Sequence, residues 1–205
     1  MSEGLLVLIS APSGAGKTSL VAAALEHDPR LVVSISHTTR PRRPQEHEGL
    51  NYYFVDDAEF SAMASDNQFL EHAVVFGKQY GTARAPVQAL RAQGKDVILE
   101  IYWQGADLVQ HEIPDALSIF VLPPSTEVLR ERLTRRAQDS APVIESRLAE
   151  ARKEMAQSQR YQYIVVNDDF DRALGDILAI LQSARLRSSQ QVAHNPQVKA
   201  ILSPT

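Results

Sequence analysis

Leu5-Leu6-Val7-Leu8-Ile9-Ser10-Ala11-Pro12-Ser13-Gly14-Ala15-Gly16-Lys17-Thr18 is the stretch that decides the fold class. Its aliphatic run is continuous rather than alternating, which reads as a parallel strand buried on both faces. The residues after it match G-x-x-x-x-G-K-[ST] at every fixed position but the first, where Ala11 replaces glycine. Glycines let the chain turn tightly so that consecutive N–H groups converge on phosphate oxygens, and the helix that follows adds the positive end of its dipole. Ala11, Pro12, Ser13, Gly14, Ala15, Gly16, Lys17 and Thr18 are therefore read as a phosphate cradle. Lys17 is placed to reach the β- and γ-phosphates of a nucleotide, and the Thr18 hydroxyl to ligate Mg²⁺. Ala11 is compatible with this if its φ is negative, where a Cβ meets no clash.

Beyond this stretch, short apolar runs alternate with helical patterns. The strand candidates are Leu5–Ser10, Val32–Ser36, Asp96–Tyr102, Leu117–Leu122 and Tyr163–Asn167, and helical periodicity covers about 17–27, 84–93, 104–112, 125–137, 142–161 and 170–186. That alternation predicts βαβ units around a parallel sheet. Residues 37–82 break the rhythm with Pro41, Pro44 and short strand-like pieces at Tyr52–Val55, Phe69–Phe76 and Gln79–Thr82, and read as a small, mostly β insertion. A helical pair, 125–161, broken at Asp139-Ser140-Ala141-Pro142, reads as a second insertion. The tail after about 187 is polar, contains Pro196 and Pro204, and is expected to be loose.

Composition narrows the class. The 205 residues are 44% hydrophobic and 22% charged, which suits a globular protein with a real core and excludes global disorder. The longest aliphatic run, Leu5–Ile9, is five residues, against the ~18 a membrane helix needs. The start Met-Ser-Glu-Gly has no signal-peptide character. With no cysteine there is no disulfide, thiolate metal site or cysteine nucleophile, and a cytoplasmic location is expected. A net charge of −4 argues against general nucleic-acid binding. Histidines 27, 37, 47, 72, 111 and 194 show no metal-ligand spacing, and there is no hydrolase triad motif. What stands out is local: Arg40, Arg42 and Arg43, then Arg130, Arg132, Arg135 and Arg136.

The segment Ser36-His37-Thr38-Thr39-Arg40-Pro41-Arg42-Arg43-Pro44-Gln45-Glu46 sets three arginines within four residues, stiffened by prolines. The planar guanidinium pairs with phosphate oxygens two at a time, although the segment alone reads equally as a solvated basic loop. Here the chain resembles the guanylate kinases of the bacterial type, P-loop enzymes that phosphorylate GMP with ATP. The family run S-x-x-T-R-x-x-R-x-x-E-x-x-G-x-x-Y is present as Ser36, Thr39, Arg40, Arg43, Glu46, Gly49 and Tyr52. Glu71, Gly77, Tyr80, Gly81 and Thr82 fit its second substrate segment, and Trp103-Gln104-Gly105-Ala106 and Val166-Asn167-Asp168-Asp169 resemble further family stretches. The likeness covers about residues 4–186.

The resemblance implies an α/β fold: a P-loop NTPase parallel sheet flanked by helices (4–36, 83–124 and 162–186), a GMP-binding insertion (37–82) and a helical lid (125–161), with 187–205 as a polar tail. It implies that Arg40, Arg43, Tyr52 and Tyr80 hold the GMP phosphate, with Glu46 orienting the arginines, and that Ser36, Glu71 and Thr82 contact the base. Chemistry agrees for Glu71, since guanine offers N1–H and N2–H₂ side by side, a two-donor edge that one carboxylate matches. Without the family, Glu71 reads as a surface charge on a half-exposed strand, and Tyr52 and Tyr80 as strand aromatics. Arg132, Arg136 and Arg147 are expected to close over ATP together with Lys17, and Asn167 to meet the adenine. Without the family, the lid arginines read as a solvated helix face and Asn167 as a cap or turn residue. One departure is Glu100-Ile101-Tyr102, where the family commonly ends in Asp: the metal-linked role falls to Glu100 with Thr18, because a neutral phenol is a poor Mg²⁺ ligand. The expected activity is ATP + GMP to ADP + GDP, serving purine metabolism and GMP recycling, with no nucleic-acid or membrane partner and an oligomeric state the sequence leaves open. A related kinase for another phosphorylated acceptor, such as a ribose bisphosphate, and a non-catalytic interaction module are the alternatives.

Overall fold

The computed structural model describes residues 3–136 and 141–203, without the side chains of 135, 136 and 141–143. The opening stretch folds as read: β1 (Leu6–Ser10), the cradle loop, then α1 (Lys17–His27). Around β1 lie β2 (Leu31–Val33), β7 (Asp96–Glu100), β8 (Leu117–Leu122) and β9 (Tyr163–Val166), and their order β2-β7-β1-β8-β9 is parallel throughout. Leu8 and Ile9 in the central strand are fully buried on opposite faces, and such a side chain contributes about 1.5–3 kcal/mol on leaving water. One face packs α1 and α7 (Phe170–Arg185) through Leu20, Val21, Ala173, Ile177 and Leu181. The other packs α3 (Arg84–Ala92) and α4 (Trp103–Glu112) through Val87, Ala106 and Val109.

The insertion has a sheet of its own. The strand expected at Val32–Ser36 ends early, because the chain leaves one sheet for another: Ser34 N–H still donates to Ile98 (2.9 Å), while Ser36 C=O accepts from Tyr53 N–H (2.9 Å). The second sheet contains β3 (His37–Thr38), β4 (Tyr53–Phe54), β5 (Phe69–Val75) and β6 (Lys78–Ala83) in the order β4-β3-β6-β5. The insertion also holds a helix the sequence reading passed over, α2 (Asp57–Ser65), whose Phe60 stacks on Phe69 at 4.5 Å. Asp56 caps it by accepting the Glu59 N–H at 2.7 Å, and Asp-x-x-Glu is the signature of such a start.

The helical pair forms α5 (Thr126–Arg136) and α6 (Ala141–Ala156), followed by a 3₁₀ turn at Gln157–Arg160. It carries a small core of Leu129, Leu133, Leu148 and Ala151. The tail contains two short helices that were not expected, α8 (Ser188–His194) and α9 (Pro196–Leu202), and no residue of either is buried. Asn195 accepts the N–H groups of Gln197 and Val198, and Pro196 sits where a helix start tolerates it, so this proline begins a helix.

The last turn of α7 is tied to the sheet by a buried charge cluster. Arg185 pairs with Asp28, which ends α1, and with Asp96 (2.6 Å), whose other oxygen accepts the Leu5 N–H at 2.8 Å. Burial works against the Asp28 anion, but the Arg30 N–H and the Arg185 guanidinium outweigh it and hold the carboxyl at about 2. Arg185→Ala leaves two largely buried carboxylates short of a partner and is expected to cost roughly 3 kcal/mol of stability. Urea unfolding checks this, and a loss below about 0.5 kcal/mol, the scale of an ordinary surface substitution, would contradict it.

Candidate active site

The cradle follows from backbone freedom and close approach. Gly14 and Gly16 sit at φ 93° and 97°, a region L side chains avoid, whereas Ala11 is not among the residues with positive φ, so its methyl group is harmless there. The loop is clamped from outside. Asn167 Nδ2 donates to Ala15 C=O at 2.7 Å, and Arg132 donates from its two terminal nitrogens to Ala15 C=O and Asn167 C=O, each at 3.2 Å. A Cβ on Gly16 would lie 2.3 Å from that amide nitrogen. The side-chain amide expected to meet an adenine thus has its donor on the loop itself.

Inside the cradle a charged group is half-withdrawn from water. Desolvation lowers the pKa of Lys17, and the carboxylates of Glu100 and Glu154 act in the opposite direction. Glu100, at the end of β7, lies 4.0 Å from Lys17 Nζ and accepts the Thr18 hydroxyl at 3.1 Å. Glu154 was not anticipated. It projects from α6, is buried, and faces the Ser13 N–H and Lys17; burial, with Glu150 adding, pushes its carboxyl up to about 7. The signal was present, since Leu148, Ala151 and Met155 mark the inward face of α6 and an acid at 154 falls on that face. Among the described residues no group of three or more metal-ligating side chains gathers. The hard oxygens of Thr18 and Glu100 are the pair suited to Mg²⁺, which keeps several of its waters.

The arginine loop is organised by one carboxylate. Glu46 accepts Arg40 at 2.7 Å and the Arg43 backbone N–H at 2.8 Å, with the Arg43 guanidinium 4.0 Å away. Arg40 lies over the Tyr52 ring at 5.4 Å, and Tyr52 meets Tyr80 edge-on at 6.0 Å. Arg43 points to solvent, its side chain 71% exposed. Tyr102 continues the aromatic row, edge-on to Tyr80 at 5.4 Å, immediately before α4. Burial raises its phenol far above the usual range, so it is a neutral group beside Arg40 and the other two tyrosines.

Ser36, Thr82 and Glu71 form a line. The Thr82 hydroxyl donates to Glu71 Oε1 at 2.5 Å, and Ser36 Oγ lies 3.4 Å from the same hydroxyl. Far from the surface charge its local sequence suggests, Glu71 is 5% exposed. An irregularity in β5 between Phe69 and Glu71 sets Glu71 opposite Thr82, the re-aiming that bulges supply beside functional sites. Burial raises this carboxyl to about 7, against two stabilising bonds from Thr82. Of the lid arginines, Arg132 touches the cradle and Arg147 is half-buried on α6, while the side chain of Arg136 lies outside the described residues.

A family model for guanylate kinase matches residues 3–184. The chain belongs to the guanylate kinase family. It is 55% identical to a guanylate kinase of Alkalilimnicola ehrlichii over 92% of this chain and 93% of that one. A guanylate kinase of Hahella chejuensis is 53% identical over 99% and 98% respectively. The crystal structure of a guanylate kinase from Anaplasma phagocytophilum superposes with a TM-score of 0.78 at 33% identity, covering 92% of this chain and 90% of that one. The parallel sheet flanked by helices is thus the family's α/β fold, and the chain is an enzyme. No helix among the described residues is long and apolar enough to cross a membrane.

The raised Glu71 carboxyl has a kinetic consequence. Below about pH 7 it is mostly protonated in the free enzyme; on the expectation that Glu71 contacts the base, it then presents a donor where guanine also donates, and KM for GMP should rise on the order of tenfold between pH 7.5 and 6. KM for ATP should not follow. The GMP phosphate titrates in the same range, so the comparison is Glu71→Gln, whose profile keeps only the nucleotide's own change. Identical profiles for the two proteins would contradict the assignment.

Proposed function

We infer that GMP and ATP meet in the cleft between the arginine loop, the cradle and the lid, and that the enzyme transfers the γ-phosphoryl group to give ADP and GDP. The observation that carries the residue-level reading is the line from half-buried Ser36 to buried Thr82 and Glu71 on the acceptor side of the Lys17 cradle. One carboxylate accepts both guanine N1–H and N2–H₂, whereas adenine offers an acceptor at N1 and no 2-amino group. A site built for hydrogen bonding rejects a substrate that leaves its groups unpaired by up to ~10⁴-fold.

Arg40, Arg43, Tyr52 and Tyr80 bind the GMP phosphate, and Glu46 sets the two arginines against it. The attacking phosphate oxygen is already anionic and needs no strong general base. Catalysis is then in-line positioning with charge stabilisation by Lys17, Arg132, Arg136 and Arg147. Residues 11–18 cradle the ATP phosphates, and Asn167 steadies that loop while lying within reach of the adenine side. Thr18 and, through water, Glu100 would hold Mg²⁺, whose charge would neutralise the phosphate oxygens. Closure of the insertion (37–82) and the lid (125–161) onto the core within 4–186 excludes water and suppresses ATP hydrolysis. Arg132 must then release Ala15 and Glu154 must yield its place beside Ser13 to a phosphate. A cytoplasmic location and a part in GMP recycling complete the reading.

Purified protein with ATP and Mg²⁺, offered GMP, AMP, UMP and CMP separately, should form ADP only with GMP. Lys17→Ala should lose at least ~10³-fold in turnover with an unchanged circular dichroism spectrum, and near-normal turnover would remove the cradle assignment. Glu71→Gln should raise KM for GMP roughly 10–100-fold, with ATP little affected; equal effects on both nucleotides would count against Glu71.

A further inference from the structure

We propose that Gly105 is a specificity-positioning residue: the empty space at its α-carbon is the seat in which the Glu71 carboxylate rests when it reads the guanine base. The proposal rests on the reading of Glu71 given above and adds a residue to which no role has been assigned. Gly105 is the third residue of α4 and is buried. A Cβ built there would lie 2.1 Å from Glu71 Oε2, 2.8 Å from Cδ and 3.3 Å from Cγ. These are distances no side chain accommodates without moving. Backbone conformation does not explain the glycine, since Gly105 is absent from the positive-φ residues and lies in a helix, where glycine is the poorest choice after proline. Gly175 in α7 provides the contrast, with nothing within 4 Å of its would-be Cβ.

The direction in which the clash resolves is what makes the effect one of specificity. Neighbouring Ala106 is fully buried in the sheet-side core, so the first turn of α4 is held in place. The group free to move is the far end of Glu71, a flexible side chain. That end is engaged: Oε1 accepts Thr82, whose side chain is fully buried and within reach of Ser36. A methyl group at 105 therefore pushes the carboxylate off the Thr82–Ser36 line while leaving the backbone intact. A displacement of about 1 Å in a positioned group costs on the order of 10²-fold in a well-aligned reaction.

Gly105→Ala is compared with Gly175→Ala, which makes the same change in helix propensity in open space. The expected result for Gly105→Ala is a KM for GMP raised at least ~10-fold, KM for ATP within about twofold, and a reduced preference for GMP over IMP, which lacks the 2-amino group. Gly175→Ala should leave all three unchanged. Glu71→Asp shortens the acid and withdraws it from the seat, so adding Gly105→Ala to Glu71→Asp should cause no further loss. Unchanged GMP kinetics in Gly105→Ala, with Glu71→Gln impaired, overturns the proposal alone; unaffected Glu71→Gln overturns the reading of Glu71 beneath it. Should Gly105→Ala fail to fold, recovery of folding in the pair with Glu71→Asp supports the clash, and failure of both overturns it.

Discussion

A half-buried ammonium group needs a counter-charge, and meeting that need at Lys17 brings the parts of this protein together. Withdrawing a lysine from water is unfavourable unless anions compensate it. The compensation comes from two distant places: Glu100 at the carboxyl end of β7 and Glu154 on the lid helix α6. The end of β7, the loop after β1 and α6 thus each contribute a charged group to one cluster. The cradle gains rigidity from the same arrangement, since Asn167 after β9 and Arg132 on α5 hold the Ala15 carbonyl from outside. The backbone of the loop is therefore fixed from its outer side.

On the acceptor side the same physics favours discrimination. Glu71 is buried, and its carboxyl is raised to about 7 because only the Thr82 bonds support its charge. A carboxylate so poorly compensated gains more from two new donors than an exposed one does, since the local dielectric is low. The arginine loop works by contrast: Glu46 engages Arg40 tightly, and Arg43 is left extended toward solvent. Tyr102, where the family commonly carries an acid, joins Tyr52 and Tyr80 in an aromatic row beside Arg40, so a neutral phenol stands at that position in this chain.

Several features were legible in the residues because local chemistry determines them. The apolar run and glycine turn predicted β1, the loop and α1, and the cradle needs no distant residue to be recognised. The helix α2 and the start of α9 were just as local, through Asp56-x-x-Glu59 and Asn195-Pro196, and were passed over because surrounding polarity and proline were read as loop signals. The split of the predicted strand at Val32–Ser36 was not local. Which sheet a short strand joins depends on the partners that assemble beside it.

The sequence by itself determined the class of fold and the chemical inventory: a parallel α/β sheet, a phosphate-loop motif, an arginine-rich loop and a helical pair. Those are written in periodicity and in residue types at fixed spacing, which act over a few residues. Tertiary structure alone decided that Glu71 is a buried group and not a surface charge, that Glu154 faces the cradle, and that the first turn of α4 makes room for a carboxylate on β5. Burial and close approach arise between segments far apart in the chain, and a side chain's charge state and its neighbours follow from them.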